Sequence, residues 1–223
     1  MAGNVVLKSV TNGLVLYLDA VNTKSYPGSG NNWFDLTENM NVGTLENGAT
    51  FSSSNGGSIF FDGVNDYVQV QAIKGLTSPT SYTISSWFKP ISTGGLDLGF
   101  ATILGYSGSR RLLWNSGTKN ILAQMGGSGV VSTTNSVPVN DWSYVTYIYD
   151  MDLNKEYLYI NGVYNGIANN TSSTFNSTFY LGFYGDPNYY LLNGNISMVH
   201  IYNRRLSDSE VLQNYNTLKS RFY

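Results

Sequence analysis

The chain has 223 residues, a formal net charge of −2, and only 12% charged against 42% hydrophobic and 14% aromatic positions. That length and apolar share suit one domain with a real core, and all-β sandwiches often run past 200 residues as a single unit. The balance argues against several partners and chemistries. No basic run marks a nucleic-acid surface, no apolar stretch approaches the ~18 residues that span a bilayer, and the absence of cysteine removes disulfides, thiolate metal sites and Cys nucleophiles.

Charged residues stand at about half their usual share. Asn, Ser, Thr, Gly and Tyr fill the gap, so the surface can hydrogen-bond and stack while exerting little long-range pull. The first eight residues lack a secretory signal's charged start and long apolar run. The expectation is a chain that works where it is made, leaves by lysis, or has lost a leader.

In chain order, Leu14, Leu16 and Leu18 alternate with Val15, Tyr17 and Asp19, which predicts a strand. A loop over residues 22–32 centres on Tyr26-Pro27-Gly28-Ser29-Gly30, and Trp33-Phe34-Asp35-Leu36 then anchors the chain. A second strand ends at Phe61. Asp62-Gly63 turns the chain because Gly accepts positive φ and Asp bonds its own backbone. Asn65-Asp66 delivers it into Tyr67-Val68-Gln69-Val70. Residues 82–90 predict a further strand, with Tyr82, Ile84, Ser86 and Phe88 on one face and Thr83, Ser85, Trp87 and Lys89 on the other. Pro90 lacks an N–H and is expected to end it.

Residues 92–118 are rich in Gly, Ser and Leu, with short strands expected at 101–104 and 112–114. Residues 142–149 are apolar on both faces and predict a central strand. Residues 157–163 run into an Asn161-Gly162 hairpin turn, and 179–184 and 196–202 predict late strands. One helix is predicted over about 207–219. Ser207 and Glu210 form a capping box, Val211, Tyr215, Leu218 and Phe222 recur at helical spacing, and Lys219 and Arg221 suit the negative end of its dipole. The whole chain, 1–223, reads as one all-β domain: a two-sheet antiparallel jelly-roll sandwich with a short C-terminal helix packed on it.

Four segments carry a family resemblance. They are Phe61-Asp62-Gly63-Val64-Asn65-Asp66-Tyr67-Val68; Tyr82-Thr83-Ile84-Ser85-Ser86-Trp87-Phe88-Lys89-Pro90; residues 142–163 with Leu158-Tyr159-Ile160-Asn161-Gly162; and residues 194–207 from Gly194-Asn195-Ile196 to Arg205-Leu206-Ser207. In this order they resemble the laminin G-like, concanavalin A-like lectin/glucanase domains, over roughly residue 10 to the end. Tyr17-Leu18-Asp19-Ala20, Ser25-Tyr26-Pro27-Gly28-Ser29-Gly30 and residues 212–222 resemble the phage-associated branch. That branch implies a virion surface protein, a head decoration or fibre-type adhesin, made in the host cytoplasm, with virion proteins as partners and possible homo-oligomers. Fold alone does not fix function. A glucanase-type enzyme and a host-encoded extracellular carbohydrate-binding module are the alternatives.

Glycoside hydrolysis needs two carboxylates about 5–9.5 Å apart. The enzymes of this fold carry them as Glu-x-Asp-x-(x)-Glu on one strand, a run that is missing here. Glu210 belongs to the capping box, Glu38, Glu46 and Glu156 are read in loops or turns, and Asp150 and Asp152 sit at a turn. His200, the sole histidine, lies mid-strand and reads as a half-buried packing residue rather than a base. No catalysis is expected.

The resemblance also implies calcium near the Asp-Gly-x-x-Asp turn. Asp62 and Asp66 remain as candidate ligands, but position 65 is Asn and the late Gly-x-Ile-Asp-Glu pattern reads Gly194-Asn195-Ile196-Ser197-Met198. Calcium affinity falls with lost charged ligands, so the favoured reading has both aspartates bonding turn amides. No other cofactor is expected. Glycan or cell-surface polysaccharide binding needs exposed aromatics beside polar groups. Three loops offer the mixture: Tyr106 with Arg110, Arg111 and Trp114; Tyr184 through Asp186, Pro187 and Asn188 to Tyr189 and Tyr190; and Tyr26 with Asn31, Asn32 and Trp33. Trp33 also suits a plug at one end of the sandwich. Triplets such as Asn170-Thr171-Ser172 and Asn195-Ile196-Ser197 are expected to arise by chance in so Asn- and Thr-rich a chain.

Overall fold

The computed structural model of the chain describes residues 8–71, 73–77, 80–94, 99–106, 110–125, 129–170, 178–186 and 188–223. Residues 1–7, Pro187 and positions 171 and 172 of the Asn170 triplet lie outside them. Among the described residues the strands are β1 (Leu14–Asp19), β2 (Asn32–Phe34), β3 (Val42–Glu46), β4 (Thr50–Ser52), β5 (Ser58–Asp62), β6 (Tyr67–Val70), β7 (Tyr82–Gly94) and β8 (Phe100–Tyr106). They continue with β9 (Arg110–Asn115), β10 (Asn120–Gln124), β11 (Val130–Val131), β12 (Ser143–Asp150), β13 (Lys155–Ile160), β14 (Val163–Asn169), β15 (Phe179–Leu181) and β16 (Leu191–Tyr202). The helix α1 spans Asp208–Leu218, and a 3₁₀ turn, Lys219–Arg221, follows it.

Two antiparallel sheets make a sandwich with one C-terminal helix, the architecture the sequence predicts. The first sheet runs β14-β13-β12-β7-β16-β5-β4, with β1 also paired to β16; the second runs β11-β10-β9-β8-β15-β6-β3-β2. One apolar core fills the space between them. Leu16, Leu18, Ile84, Phe88, Val145, Ile196 and Val199 meet Val68, Ala101, Leu112, Trp114, Ile121, Phe179 and Leu181 there. At roughly 25 cal/mol per Å² of apolar surface, this burial is the main force holding the layers together.

The sheets differ on their outer faces. The helix and the chain end lie across the first sheet. Val211 and Leu206 pack on Ile148, Tyr159 and Tyr202, while Leu218 and Phe222 pack on Trp87, Trp142, Tyr144 and Met198. Phe222 stacks on Trp87 with ring centroids 4.2 Å apart. Burial on both faces explains why all of β12 is buried and why its sequence lacks polar alternation. The outer face of the second sheet has no such cover among the described residues.

Three expectations are corrected. The strand beginning at Tyr82 does not stop at Pro90 but runs on to Gly94. Pairing of β7 with β12 ends at Phe88, and beyond it β7 pairs with β16, where Pro90 stands opposite Gly194 at a register shift. A bulge leaves a backbone position without a ladder partner, so the missing N–H costs nothing there. Glu156 is not a loop residue. It lies on β13, fully buried, and accepts from the Tyr147 hydroxyl at 3.0 Å and Asn170 Nδ2 at 3.1 Å. Glu46 likewise ends β3. Finally, Lys219 and Arg221 lie beyond α1, and Arg221 reaches the buried Asp19 carboxylate at 3.0 and 2.9 Å instead of the helix end. The capping box itself forms: Ser207 Oγ accepts from the Glu210 amide, and Glu210 accepts from the Ser207 amide.

Candidate functional site

Strand register assembles the site on the open face. Asn32, Thr44, Gln69, Tyr180, Gly105, Arg111 and Gln124 stand opposite one another in the successive pairings of β2, β3, β6, β15, β8, β9 and β10. Their strand neighbours Val68, Val70, Phe179, Leu181, Leu112 and Ala123 are buried in the core. Side chains alternate along a strand, so the row faces outward. A polar and aromatic stripe therefore crosses seven strands.

Gly105 is the low point of that stripe. A Cβ there would lie 2.5 Å from Cβ of Tyr184, so glycine lets the loop after β15 fold down onto the sheet. The loop is pinned at both ends: Gly182 N donates to Ile103 O, and Thr102 N donates to Tyr190 O at 2.7 Å. Asp186 Oδ1 accepts from the amide and side chain of Asn188, closing a tight turn. Tyr190 takes a positive φ of 57°, a conformation that costs a bulky side chain on the order of 1 kcal/mol or more. The Thr102 bond and the Arg111 contact offset that cost and keep the ring against the guanidinium.

The Arg111 guanidinium packs against a pair of touching rings, 4.9 Å from the centroid of Tyr184 and 4.8 Å from that of Tyr190, which lie 5.4 Å from each other. Its Nε donates to Gln124 Oε1 at 3.2 Å. Tyr189 and Phe100 extend the aromatic group at 6.1 and 5.8 Å from Tyr190. Beside it, Tyr67, Tyr180 and Phe183 form a second half-buried group; Tyr67 stacks on Phe183 at 5.1 Å and meets Tyr180 edge-on. Burial pushes the Tyr184 phenol above its usual range, as does the nearby Asp186, while Arg111 pulls it down. The Tyr184 phenol therefore stays a neutral hydrogen-bonding group at physiological pH. An arginine and several half-exposed rings on a polar sheet can stack on a sugar's C–H face and bond its oxygens.

Of the residues singled out from sequence, Tyr184, Asp186, Asn188, Tyr189 and Tyr190 gather here, joined by Arg111. Arg110 occupies the alternate position on β9 and lies on the other side of the sheet, over Tyr106. Trp114 and Tyr106 are corrected: both are core residues, 0% and 2% exposed. Trp114 Nε1 donates to Val137 O, so it anchors the interior rather than a ligand. The third loop contributes no aromatic surface, because Tyr26 and Trp33 are buried. Gln69, Tyr180, Phe183 and Gln124 were missed. Their strand alternation was readable, but the cross-strand register that lines them up was not.

The other candidates have local partners. Asp66 Oδ2 accepts from the Asp62 amide at 3.0 Å, and Asp62 Oδ1 accepts from the Val64 amide at 2.7 Å. No group of three or more acidic or histidine side chains suited to a metal occurs among the described residues. His200 is fully buried rather than half-buried, packed edge-on against Tyr17 at 4.3 Å, and burial drops its pKa to about 3.

Comparison with known proteins follows the architecture. No curated protein matches the sequence. Among solved structures, the binding domain of Paraclostridial Mosquitocidal Protein 1 superposes with a TM-score of 0.72 at 19% identity, covering 92% of this chain and 52% of that one. The binding domain of Botulinum Neurotoxin DC in complex with SialylT gives 0.71 at 15% identity, with 92% and 51% coverage. Trypanosoma rangeli sialidase gives 0.69 at 18%, with 95% and 33% coverage. The chain thus spans about half or a third of these neighbours, and at such identities the likeness is one of fold. A sequence-family model, described as the concanavalin A-like lectin/glucanases superfamily, matches residues 61–212. With more than half of its length so matched, the chain belongs to the concanavalin A-like lectin/glucanase superfamily.

Proposed function

We propose that the chain is a non-catalytic glycan-binding module whose ligand lies on the outer face of the second sheet. The observation that carries this reading is Arg111 packed against the adjoining rings of Tyr184 and Tyr190, set on a polar row left open by the helix. Two structural neighbours, both binding domains and one in complex with SialylT, support it by analogy. The carboxylates at the margins of the row argue against hydrolysis. Glu46 ends β3, while Asp186 belongs to the loop and is tied to Asn188 in its own turn, so the two do not make the fixed facing pair on one strand that a glycosidase of this fold uses.

The test is retention on immobilised polysaccharides and a glycan array. Wild-type protein should bind, and Tyr190→Ala should bind at least about tenfold more weakly, the scale of a lost stacking contact, with an unchanged melting temperature. Failure of the wild type to bind any glycan would end the reading, and release of reducing ends from a bound polysaccharide would replace it with an enzyme.

The finer assignment, a phage virion surface protein made in the host cytoplasm, rests on the resemblance of the N- and C-terminal segments alone. Its structural variant, a subunit contacting copies of itself or other virion proteins, is favoured by Val163, Tyr164 and Ile167, which are 62%, 48% and 49% exposed on the terminal strand β14. Light scattering of the purified chain distinguishes the two, since a monomer at high concentration would count against self-assembly.

A further inference from the structure

Arg111 differs from the other arginines whose partners are resolved. Arg204 pairs with Glu210, Arg205 with Asp150 and Arg221 with Asp19. No carboxylate lies within ion-pair distance of Arg111 among the described residues. Instead Gln124 accepts from its Nε, and the adjoining rings of Tyr184 and Tyr190 lie side by side against it. The neighbouring acid, Asp186, is engaged by the amide and side chain of Asn188. A guanidinium has five N–H donors in a fixed fork. With Nε committed to Gln124 and a further donor engaged by the Tyr184 hydroxyl, the remaining Nη donors have no carboxylate partner among the described residues. The Gln124 bond and the ring contacts restrain the fork, so less rotational freedom is lost when a planar anion docks. Every other residue of the row is neutral, so a single positive charge stands near one end of a polar stripe.

We propose that this face recognises a carboxylate-bearing glycan, with Arg111 as the carboxylate clamp. The sugar carrying the acid, of the uronic or sialic type, would sit beside Tyr184 and Tyr190, and its neighbours would lie along Tyr180 and Gln69. This deepens the glycan-binding reading above and rests on it. An Arg–carboxylate fork is both stronger than a neutral hydrogen bond and geometrically selective. The overall charge of −2 gives no general attraction for polyanions, so the preference must come from this one residue.

The experiment compares probes that differ only in the acid: polygalacturonate against neutral galactan, and sialyllactose against lactose, by calorimetry at physiological salt in EDTA. Wild-type protein should favour at least one acidic member over its neutral partner by about tenfold or more, the worth of one charge-assisted pair. Arg111→Gln should erase that preference. Arg111→Lys, which keeps the charge but loses the fork and the stacking, should recover only part of it. Equal binding of acidic and neutral members by the wild type would overturn the carboxylate clamp while leaving glycan binding intact. Binding of none of the probes would overturn the clamp, and glycan binding itself would then stand or fall by the wider array. A preference retained in Arg111→Gln would assign the anion to another residue. The acid-against-neutral comparison on the wild type decides the matter even if a variant fails to fold.

Discussion

His200 is a buried base without a hydrogen-bond partner for either ring nitrogen among the described residues. Burial, with the Arg221 cation as the second cause, holds its pKa at about 3. An unfolded chain protonates this ring near pH 6.5, so between ~6.5 and ~3 the unfolded state binds more protons and stability falls as pH falls, by up to about 1.4 kcal/mol per pH unit. His200→Phe should remove that acid loss, seen as a flatter plot of denaturation midpoint against pH. Glu156 behaves in the opposite sense. Burial raises its folded pKa above the unfolded value, so stability declines as pH rises through the window between the two. Glu156→Gln, which keeps the shape and can still accept from Tyr147, should be neutral or stabilising at pH 8. Glu156→Ala should destabilise, because it leaves a cavity and the Tyr147 hydroxyl without its acceptor. A stabilised alanine variant would contradict this account of the carboxylate.

At the scale of elements, the chain end is a clamp. Residues 208–223 cover the first sheet through Val211, Leu218 and Phe222, and Tyr223 donates its hydroxyl to Trp142 O. Phe222 contacts Trp87 and Trp142 at ring separations of 4.2 and 4.8 Å. Phe222→Ala should cost about 3 kcal/mol, measured by urea unfolding, and raise the fluorescence response of the two tryptophans to quencher. A loss below 1 kcal/mol would mean the end frays in solution. Much of this element was legible: the capping box and the apolar recurrence of Val211, Leu218 and Phe222 are local signals. So was the β13–β14 hairpin, whose Asn161 and Gly162 take φ of 52° and 78°, the double positive φ that the Asn-Gly pair favours. Pro90 and Glu156 were not legible, because a bulge and a buried carboxylate are settled by partners 104 or fewer positions away, Gly194 and Tyr147 among them. Local pattern carries no information about such pairings.

The whole molecule divides labour between its layers: the central strands of one sheet are covered on both faces, and the other sheet is left with an outer face to offer. That asymmetry follows from chain order, since a single terminal helix covers one sheet only. It also explains why the tyrosine loop could be read from sequence while the surface beneath it could not. Tyr184 to Tyr190 are consecutive or nearly so, but Thr44, Gln69, Tyr180, Arg111 and Gln124 come from five strands and become neighbours only through register. The same register sets a length. From Thr44 on β3 to Gln124 on β10 the row crosses five strand steps of ~4.8 Å, about 24 Å, and one step is close to the length of a pyranose unit. Binding should therefore strengthen with chain length up to roughly five sugars and then level off, measured by calorimetry on an oligosaccharide ladder of the bound polymer. Gly105→Ser drives a side chain against Cα of Tyr184 and the carbonyl of Phe183, so it should lift the loop off the sheet, weaken binding at the arginine end of the row and lower the melting temperature by several degrees. Affinity already maximal for a monosaccharide would confine the ligand to the arginine clamp and leave the row as ordinary sheet surface.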